Sequence, residues 1–493
     1  MNILFIYPEF PDTFWSFKHA LKLAHKKASS PPLGLLTIAA MLPPDWGKRL
    51  VDLNVTKLAA KDLQWADAVF VSAMLVQREA TRQVIDRCRK AGVRIIAGGP
   101  LFTAEHEQFE EVDHFVLNEG ELTLPLFLAD LAQGKAGRVY ATSEFADLQT
   151  SPVPLWELAD MRRYAAMSLQ YSRGCPFHCE FCNVTALFGH HPRTKSTAQI
   201  LAELDSLYNQ GWRGSVFFVD DNFIGNKKHL KQDLLPALAE WQKNRRRLSF
   251  YTEASINLAD DEQLIDMMVD AGFDTVFIGI ETPNEASLAE SGKAHNQDRN
   301  LVEDVKRLQR AGLQVQGGFI VGFDSDTPDI FQRQIDFIQE SSIVTAMVGL
   351  LQALPGTRLY ERLKREGRLI SDATGDNVSI ATNIIPAMSH EALQEGYKNI
   401  LRNIYSPKNY YRRVKGFLQE YRPPRVQSAL SFHYKMALFH SLYRLGILGK
   451  ERLYFWKTML WTLFNRPHLF AQAVTLAIYG YHFRTICKRY ILK

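Results

Sequence analysis

Only five cysteines occur in 493 residues, and three of them fall within eight positions, so a disulfide framework is excluded and a reducing compartment is implied. No uncharged apolar run reaches the ~20 residues that a membrane-spanning helix needs. The start, Met1-Asn-Ile-Leu-Phe-Ile-Tyr7, has no basic region ahead of its apolar residues and reads as a first strand instead of a signal peptide, which makes a cytoplasmic location the expectation. Acidic residues are nearly missing from the end of the chain. From 401 to 493, seventeen Lys and Arg stand against only Glu420 and Glu451, a local balance of +15, which leaves −10 for residues 1–400 of a chain whose total is +5. What remains is ordinary: 46% hydrophobic and 23% charged residues suit a globular protein, and the length suits two or three domains.

The three clustered cysteines stand in Gln170-Tyr-Ser-Arg-Gly-Cys-Pro-Phe-His-Cys-Glu-Phe-Cys-Asn183, just after a short apolar run, Ala166 to Tyr171, that reads as a buried strand. Their spacing is C-x3-C-x2-C. Three thiolates on one loop can hold three irons of a cubane and leave the fourth open, whereas electron-transfer clusters use four protein ligands. A zinc knuckle from Cys175, His178, Cys179 and Cys182 is the alternative, although such sites draw two ligand pairs from separate turns and no second pair follows.

The motif, with an aromatic before the third cysteine, resembles the radical S-adenosylmethionine (SAM) superfamily. The resemblance implies that Cys175, Cys179 and Cys182 bind a 4Fe-4S cluster whose open iron chelates SAM, and that a low-potential flavodoxin- or ferredoxin-type donor reduces it. Cys88 and Cys487 read as packing or surface residues.

Residues 1–140 alternate short apolar runs (Ile3 to Tyr7, Arg49 to Leu53, Ala68 to Ala73, Val93 to Ala97, Phe115 to Leu117) with helical patterns, which predicts an α/β, doubly wound, Rossmann-like parallel sheet binding ligands at its carboxyl ends. Those ends carry Pro31-Pro-Leu-Gly34, Ser72 to Gln77, Gly98-Gly-Pro100 and Asn118-Glu-Gly-Glu121. In this order, ahead of the cysteine motif, they resemble the cobalamin-binding domains of cobalamin-dependent radical SAM enzymes, which implies Gly34, Ser72, Gln77, Gly98, Gly99 and Glu119 as cobalamin contacts. One feature departs from many such domains: Pro8 to His19 lacks an Asp-x-His-x-x-Gly loop to ligate cobalt, His19 falls in a helical pattern, and Gln77 or a water is left to face the metal. Methylthiotransferases share the domain order, but their three further cysteines are missing here. An empty, structural Rossmann-like domain stays open as the alternative.

Residues 141–165, with Ser151-Pro-Val-Pro-Leu-Trp156, read as a surface linker. From 166 to 370, strand patterns at Ala166 to Tyr171, Ser215 to Val219, Leu248 to Tyr251, Thr275 to Ile280, Val315 to Val321 and Val344 to Leu351 alternate with amphipathic helices and predict a partial (β/α)6 barrel. The resemblance implies that Phe181 meets the adenine of SAM, that Asp221, Glu253 and Glu281 lie near its amino group and ribose, and that Gly318 lets the nucleoside approach the backbone. Arg193-Thr-Lys195 reads either as a contact to a carboxylate or to the cluster's field, or as surface.

Residues 371–493 read as a mainly helical, basic and aromatic extension, most simply a cap on the barrel. Peripheral contact with an anionic membrane ranks next, and nucleic acid last, since no nucleic-acid motif accompanies the charge. The whole chain thus resembles cobalamin-dependent radical SAM enzymes of the neighbourhood that holds the hopanoid C-2 methylases. That implies methylation of an unactivated carbon, with a hydrophobic or amphiphilic small molecule as substrate. Ring formation or rearrangement without methyl transfer is one alternative; a non-catalytic zinc module gripping membrane or nucleic acid is the other.

Overall fold

A computed structural model of the chain describes residues 1–243, 245–376, 378–423 and 438–492. Two compact units form, and neither is one continuous segment: the first takes Met1–Pro11, Lys27–Cys175 and Val184–Arg213, the second Asp12–Lys26, Pro176–Asn183 and Gly214–Lys493.

The first unit is built on six parallel strands: β1 (Asn2–Tyr7), β2 (Gly47–Asp52), β3 (Ala68–Ser72), β4 (Arg94–Gly98), β5 (His114–Val116) and the short β6 (Val139–Tyr140). Their order is β2-β1-β3-β4-β5-β6, a doubly wound arrangement that reverses between β1 and β3. Alternation along each strand fills both faces. Leu4, Ile6, Val69, Val71, Ile95 and Ala97 join one core cluster, while Ile3, Phe5, Ala68, Phe70 and Ile96 join the other. The edge strand β6 carries too few residues to show a pattern in the sequence.

Residues 141–165 are not a free linker. Leu148, Trp156 and Tyr164 are buried, and the Tyr164 hydroxyl donates to Asp52 Oδ2 at 3.0 Å. Pro152 and Pro154 suggested an extended spacer, but apolar side chains at every few positions give the segment enough surface to bury against the sheet's helices. The strand β7 (Ala166–Leu169) and a two-stranded ladder, β8 (Ser172–Arg173) with β9 (Arg193–Thr194), complete this unit.

In the second unit the remaining strand patterns appear as β10 (Ser215–Phe218), β11 (Phe250–Ala254), β12 (Phe273–Glu281), β13 (Gln314–Val321) and β14 (Ala346–Leu350). They run parallel, each paired with the next. The connecting helices Glu262–Ala271 and Leu301–Ala311 start under Asp261 and Asn300 caps and stop at Gly272 and Gly312, whose φ of 109° and 111° is the left-handed stop that favours glycine.

Part of the extension is a cap on this unit. Arg413, in the helix Pro407–Glu420, is 1% exposed and donates to the carbonyls of Ile343 at 3.1 Å and Ile404 at 2.6 Å; the Tyr405 hydroxyl donates to Ala346 O. The helix Phe470–Ile486 receives the segment that follows β1. Phe14 packs on Phe483 (5.6 Å between ring centroids) and Phe17 stacks on His482 (5.3 Å). Burial pushes the His482 imidazole down to about 4, so it stays neutral and accepts a place among aromatic rings.

Candidate active site

The cysteine motif is divided in sequence between the two units. In the first unit, Gly174 has φ 95°, and a Cβ there would lie 2.7 Å from His191 O and 3.1 Å from the carbonyls of Phe188 and Gly189, so only glycine fits directly before Cys175. The ladder that brackets the motif is fixed by two arginine forks. Arg173 binds Glu121 at 2.7 and 3.0 Å, and Arg193 binds Glu119 at 2.5 and 2.8 Å. Burial alone would raise the Glu121 carboxyl, but the bonds and charge of Arg173 outweigh it and hold it at about 2. The carboxylate that Arg193 meets is thus one of the protein's own.

In the second unit, Pro176–Asn183 is tied down by residues that no motif marked. Arg358 donates to His178 O, Leu359 N to Glu180 O at 3.0 Å and Glu180 N to Ser291 O at 2.8 Å. Arg362 binds the Glu180 carboxylate at 2.8 Å and that of Asp324 at 2.8 Å. Phe177 stacks on His295 at 3.7 Å, and Phe181 meets Phe323 edge to face at 6.0 Å. Lys293 completes the surroundings: it pairs with Glu281 at 2.5 Å. Burial lowers the Lys293 ammonium, yet Glu281 and the thiols of Cys179 and Cys182 together hold it above its usual value. A buried cation therefore stands where thiolates and a cluster would bring negative charge.

Glu281 itself is strained. It adopts φ 64°, left-handed for a non-glycine residue, where the β12–β13 register breaks. Asn296 Nδ2 donates to Gly279 O at 3.1 Å and Ile280 O at 3.0 Å, and Gln334 Nε2 donates to Glu281 O at 2.9 Å. Such strain costs on the order of 1–2 kcal/mol and persists where the surroundings enforce it, commonly at functional sites.

Asp220, Asp221 and Glu253 stand at the carboxyl ends of β10 and β11. Burial, then the charges of Asp221 and Asp220, push the Glu253 carboxyl up to about 8, so it is protonated at neutral pH. Its folded value lies above the unfolded one of 4.5, so the stabilisation this shift represents is complete below pH 4.5 and is lost as pH rises through about 8. We expect Glu253→Gln to remove that loss. The variant's urea midpoint should fall less than the parent's between roughly pH 4.5 and 8, whereas parallel curves would show that Glu253 titrates normally.

Three of the expected contacts are taken up within the protein. A Cβ at Gly318 would lie 2.7 Å from the Phe277 ring, so this glycine makes room for the protein's own aromatic. Gln77 is buried, donates to Pro8 O at 2.6 Å and accepts from Met74 N at 2.8 Å, which joins the loops after β1 and β3 and leaves its amide no lone duty toward cobalt. Glu119 accepts from Arg193 and from Ala146 N at 2.8 Å. At Gly98 a Cβ would lie 2.5 Å from Val116 O. Gly34 has no heavy atom within 4 Å of where a Cβ would stand, and Gly99 has φ 89°, with Ser72 Oγ lying where its Cβ would be. His19 lies in the helix Lys18–Leu23, within the second unit, 3.6 Å from Asp12, so the segment after β1 offers no histidine from the first unit.

Family comparisons agree with this layout. Residues 23–128 match the B12 binding domain, 169–338 the Radical SAM superfamily and 357–492 a domain of unknown function, DUF4070. The "Uncharacterized methyltransferase sll1242" of Synechocystis sp. is 39% identical over 98% of this chain and 91% of its own length. Hopanoid C-2 methylase of Rhodopseudomonas palustris is 36% identical over 93% and 89%. The chain belongs to the cobalamin-dependent radical SAM methyltransferases. Its fold agrees: OxsB, solved with aqua-cobalamin and S-adenosylmethionine, superposes with a TM-score of 0.64 at 14% identity over 99% of this chain and 84% of OxsB. TsrM from Kitasatospora setae, solved with cobalamin and a [4Fe-4S] cluster, gives 0.58 at 16% identity over 76% and 79%.

As in other cobalamin-dependent radical SAM methyltransferases, the cofactors are a 4Fe-4S cluster, SAM and cobalamin, and the zinc knuckle is set aside. The donor set fits the cluster: Cys175, Cys179 and Cys182 are three half-buried cysteines outside any disulfide, with Lys293 beside two of them. Sequence reasoning missed Lys293, Arg358, Arg362 and Asn296. Arg358 and Arg362 act on residues 180 and 182 positions away, Lys293 and Asn296 act across a loop of 12 to 17 positions, and none sits in a periodic or motif-like context.

Proposed function

We propose that this protein transfers a methyl group to an unactivated carbon of a polycyclic, hopanoid-type lipid. The observation that carries the reading is the similarity to hopanoid C-2 methylase over 93% of this chain and 89% of the relative, a span that takes in the C-terminal extension as well as both cofactor regions. The cluster and SAM together supply a hydrogen-abstracting radical, and cobalamin supplies the methyl group. The chain's own residues do the rest. Arg193, Arg173 and Arg362 fix the cysteine loop, Lys293 sets a positive charge against the thiolates, and the protonated Glu253 offers a donor at the rim of the strands. Phe181, Asp221, Glu253 and Glu281 remain our assignments for SAM, and Gly34, Ser72, Gly98 and Gly99 for cobalamin. A flavodoxin- or ferredoxin-type donor delivers the electron.

The test is an anaerobic assay of holoenzyme with SAM, reductant and a pentacyclic hopanoid. A product heavier by one methylene, formed together with 5′-deoxyadenosine and S-adenosylhomocysteine, is the expected result. Formation of 5′-deoxyadenosine alone, with a rearranged lipid, selects the ring-forming alternative; an untouched hopanoid refutes the substrate class.

A further inference from the structure

The helix Arg452–Asn465 is apolar on both sides, yet among the described residues only one side is covered. Phe455, Thr458, Met459 and Thr462 are buried. On the opposite face Leu453 is 78% and Phe464 80% exposed, with Leu460, Leu463 and Trp456 also open to solvent. At about 100° per residue these five share one stripe. Trp456 Nε1 donates to Gly446 O at 2.9 Å, so the stripe runs on to Ile447 and Leu448, both exposed. Of the twenty-one large exposed apolar side chains among the described residues, ten lie between Phe439 and Phe464, which makes this a patch and not a scatter.

The charges around the patch have one sign. Arg444, Lys450, Arg452 and Lys457 are exposed, while the single acid from 438 to 465, Glu451, is buried and bound to Arg484 at 2.8 Å. On the helix, Arg452 and Lys457 flank the stripe. We propose that this face seats the protein on an anionic lipid bilayer, its apolar side chains entering the acyl boundary and its cations meeting the headgroups. At fourteen residues the helix is about 21 Å long and lies in the membrane plane, since crossing needs about 30 Å. A second copy is a poor occupant, because a twofold contact would press like charges together. Nucleic acid fares no better, since leucines and Phe464 offer phosphate nothing. The inference rests on this surface alone and not on the hopanoid reading.

The test is sedimentation of the full-length protein with vesicles of phosphatidylcholine, with and without phosphatidylglycerol. The parent should partition onto the anionic vesicles and leave them in high salt. Leu453→Ser with Phe464→Ser should weaken partition roughly tenfold or more, and Arg452→Glu with Lys457→Glu should abolish the preference for anionic lipid. All four positions are solvent-facing, so circular dichroism and iron content should stay at parental levels. Equal binding by parent and variants, or no binding by the parent, overturns the proposal. A dimer lost in Leu453→Ser/Phe464→Ser overturns it too, by giving the surface to a second copy. Failure of the hopanoid assay leaves these readouts unchanged.

Discussion

Cys179→Ala, purified without oxygen, is expected to lack the broad visible absorbance of a 4Fe-4S cluster and to release 5′-deoxyadenosine at a rate reduced by at least about a thousandfold, because SAM has no iron to bind. No neighbouring group can take the thiolate's place. Arg358 pins the backbone at His178, Leu359 N and Ser291 O pin it at Glu180, and Arg362 holds the Glu180 side chain, so the loop cannot slide another ligand into register. Cys179→Ser should behave similarly, a hydroxyl being a poor, protonated ligand for iron. Cobalamin retention is the discriminating readout. Gly34, Ser72, Gly98 and Gly99 belong to the first unit, which has its own two core clusters, whereas Cys179 lies in the second. The variant should therefore still bind cobalamin in stoichiometric amount. Cleavage of SAM at a tenth of the parental rate or more would contradict the assignment of the ligands.

What could be read from the sequence was local or periodic. The C-x3-C-x2-C spacing is contained in eight residues and carries the family resemblance that implied the cofactors, and apart from the short β6 the strands show as alternation or short apolar runs, which made the fold class legible. Pairings between distant residues could not be read. Arg362 and Glu180 are 182 positions apart, and nothing in either neighbourhood distinguishes a buried fork from a solvated charge. The exchange of Asp12–Lys26 into the second unit is likewise invisible, because Phe14 and Phe17 look like any loop aromatics until Phe483 and His482 are beside them. Glycines misled for a related reason. Gly318 signals a close approach, but the sequence does not say whether a ligand or the Phe277 ring approaches.

Arg193→Ala is expected to lower the stability of the first unit by about 3–5 kcal/mol, the range found when one partner of a buried ion pair is removed. Glu119 is 3% exposed, and beyond Arg193 its carboxylate keeps the Ala146 amide and a more distant Arg173, 3.5 Å away. Removal of the guanidinium thus leaves a desolvated charge under-compensated. The same guanidinium also donates to Ala146 O at 2.6 Å and Phe188 O at 3.0 Å, so its loss frees the ladder that brackets the cysteines. Iron content should fall with stability. Arg193→Ala/Glu119→Gln separates the two effects: a neutral amide removes the buried charge and should recover more than half of the lost urea resistance, while iron content stays low because the carbonyls of Ala146 and Phe188 still lack their donor. If the single variant unfolds within about 1 kcal/mol of the parent, Glu119 is reached by water and the fork is an ordinary surface pair. If the double variant regains iron along with stability, the fork serves only to neutralise Glu119, and the geometry of the cysteine loop is set by the second unit's arginines alone.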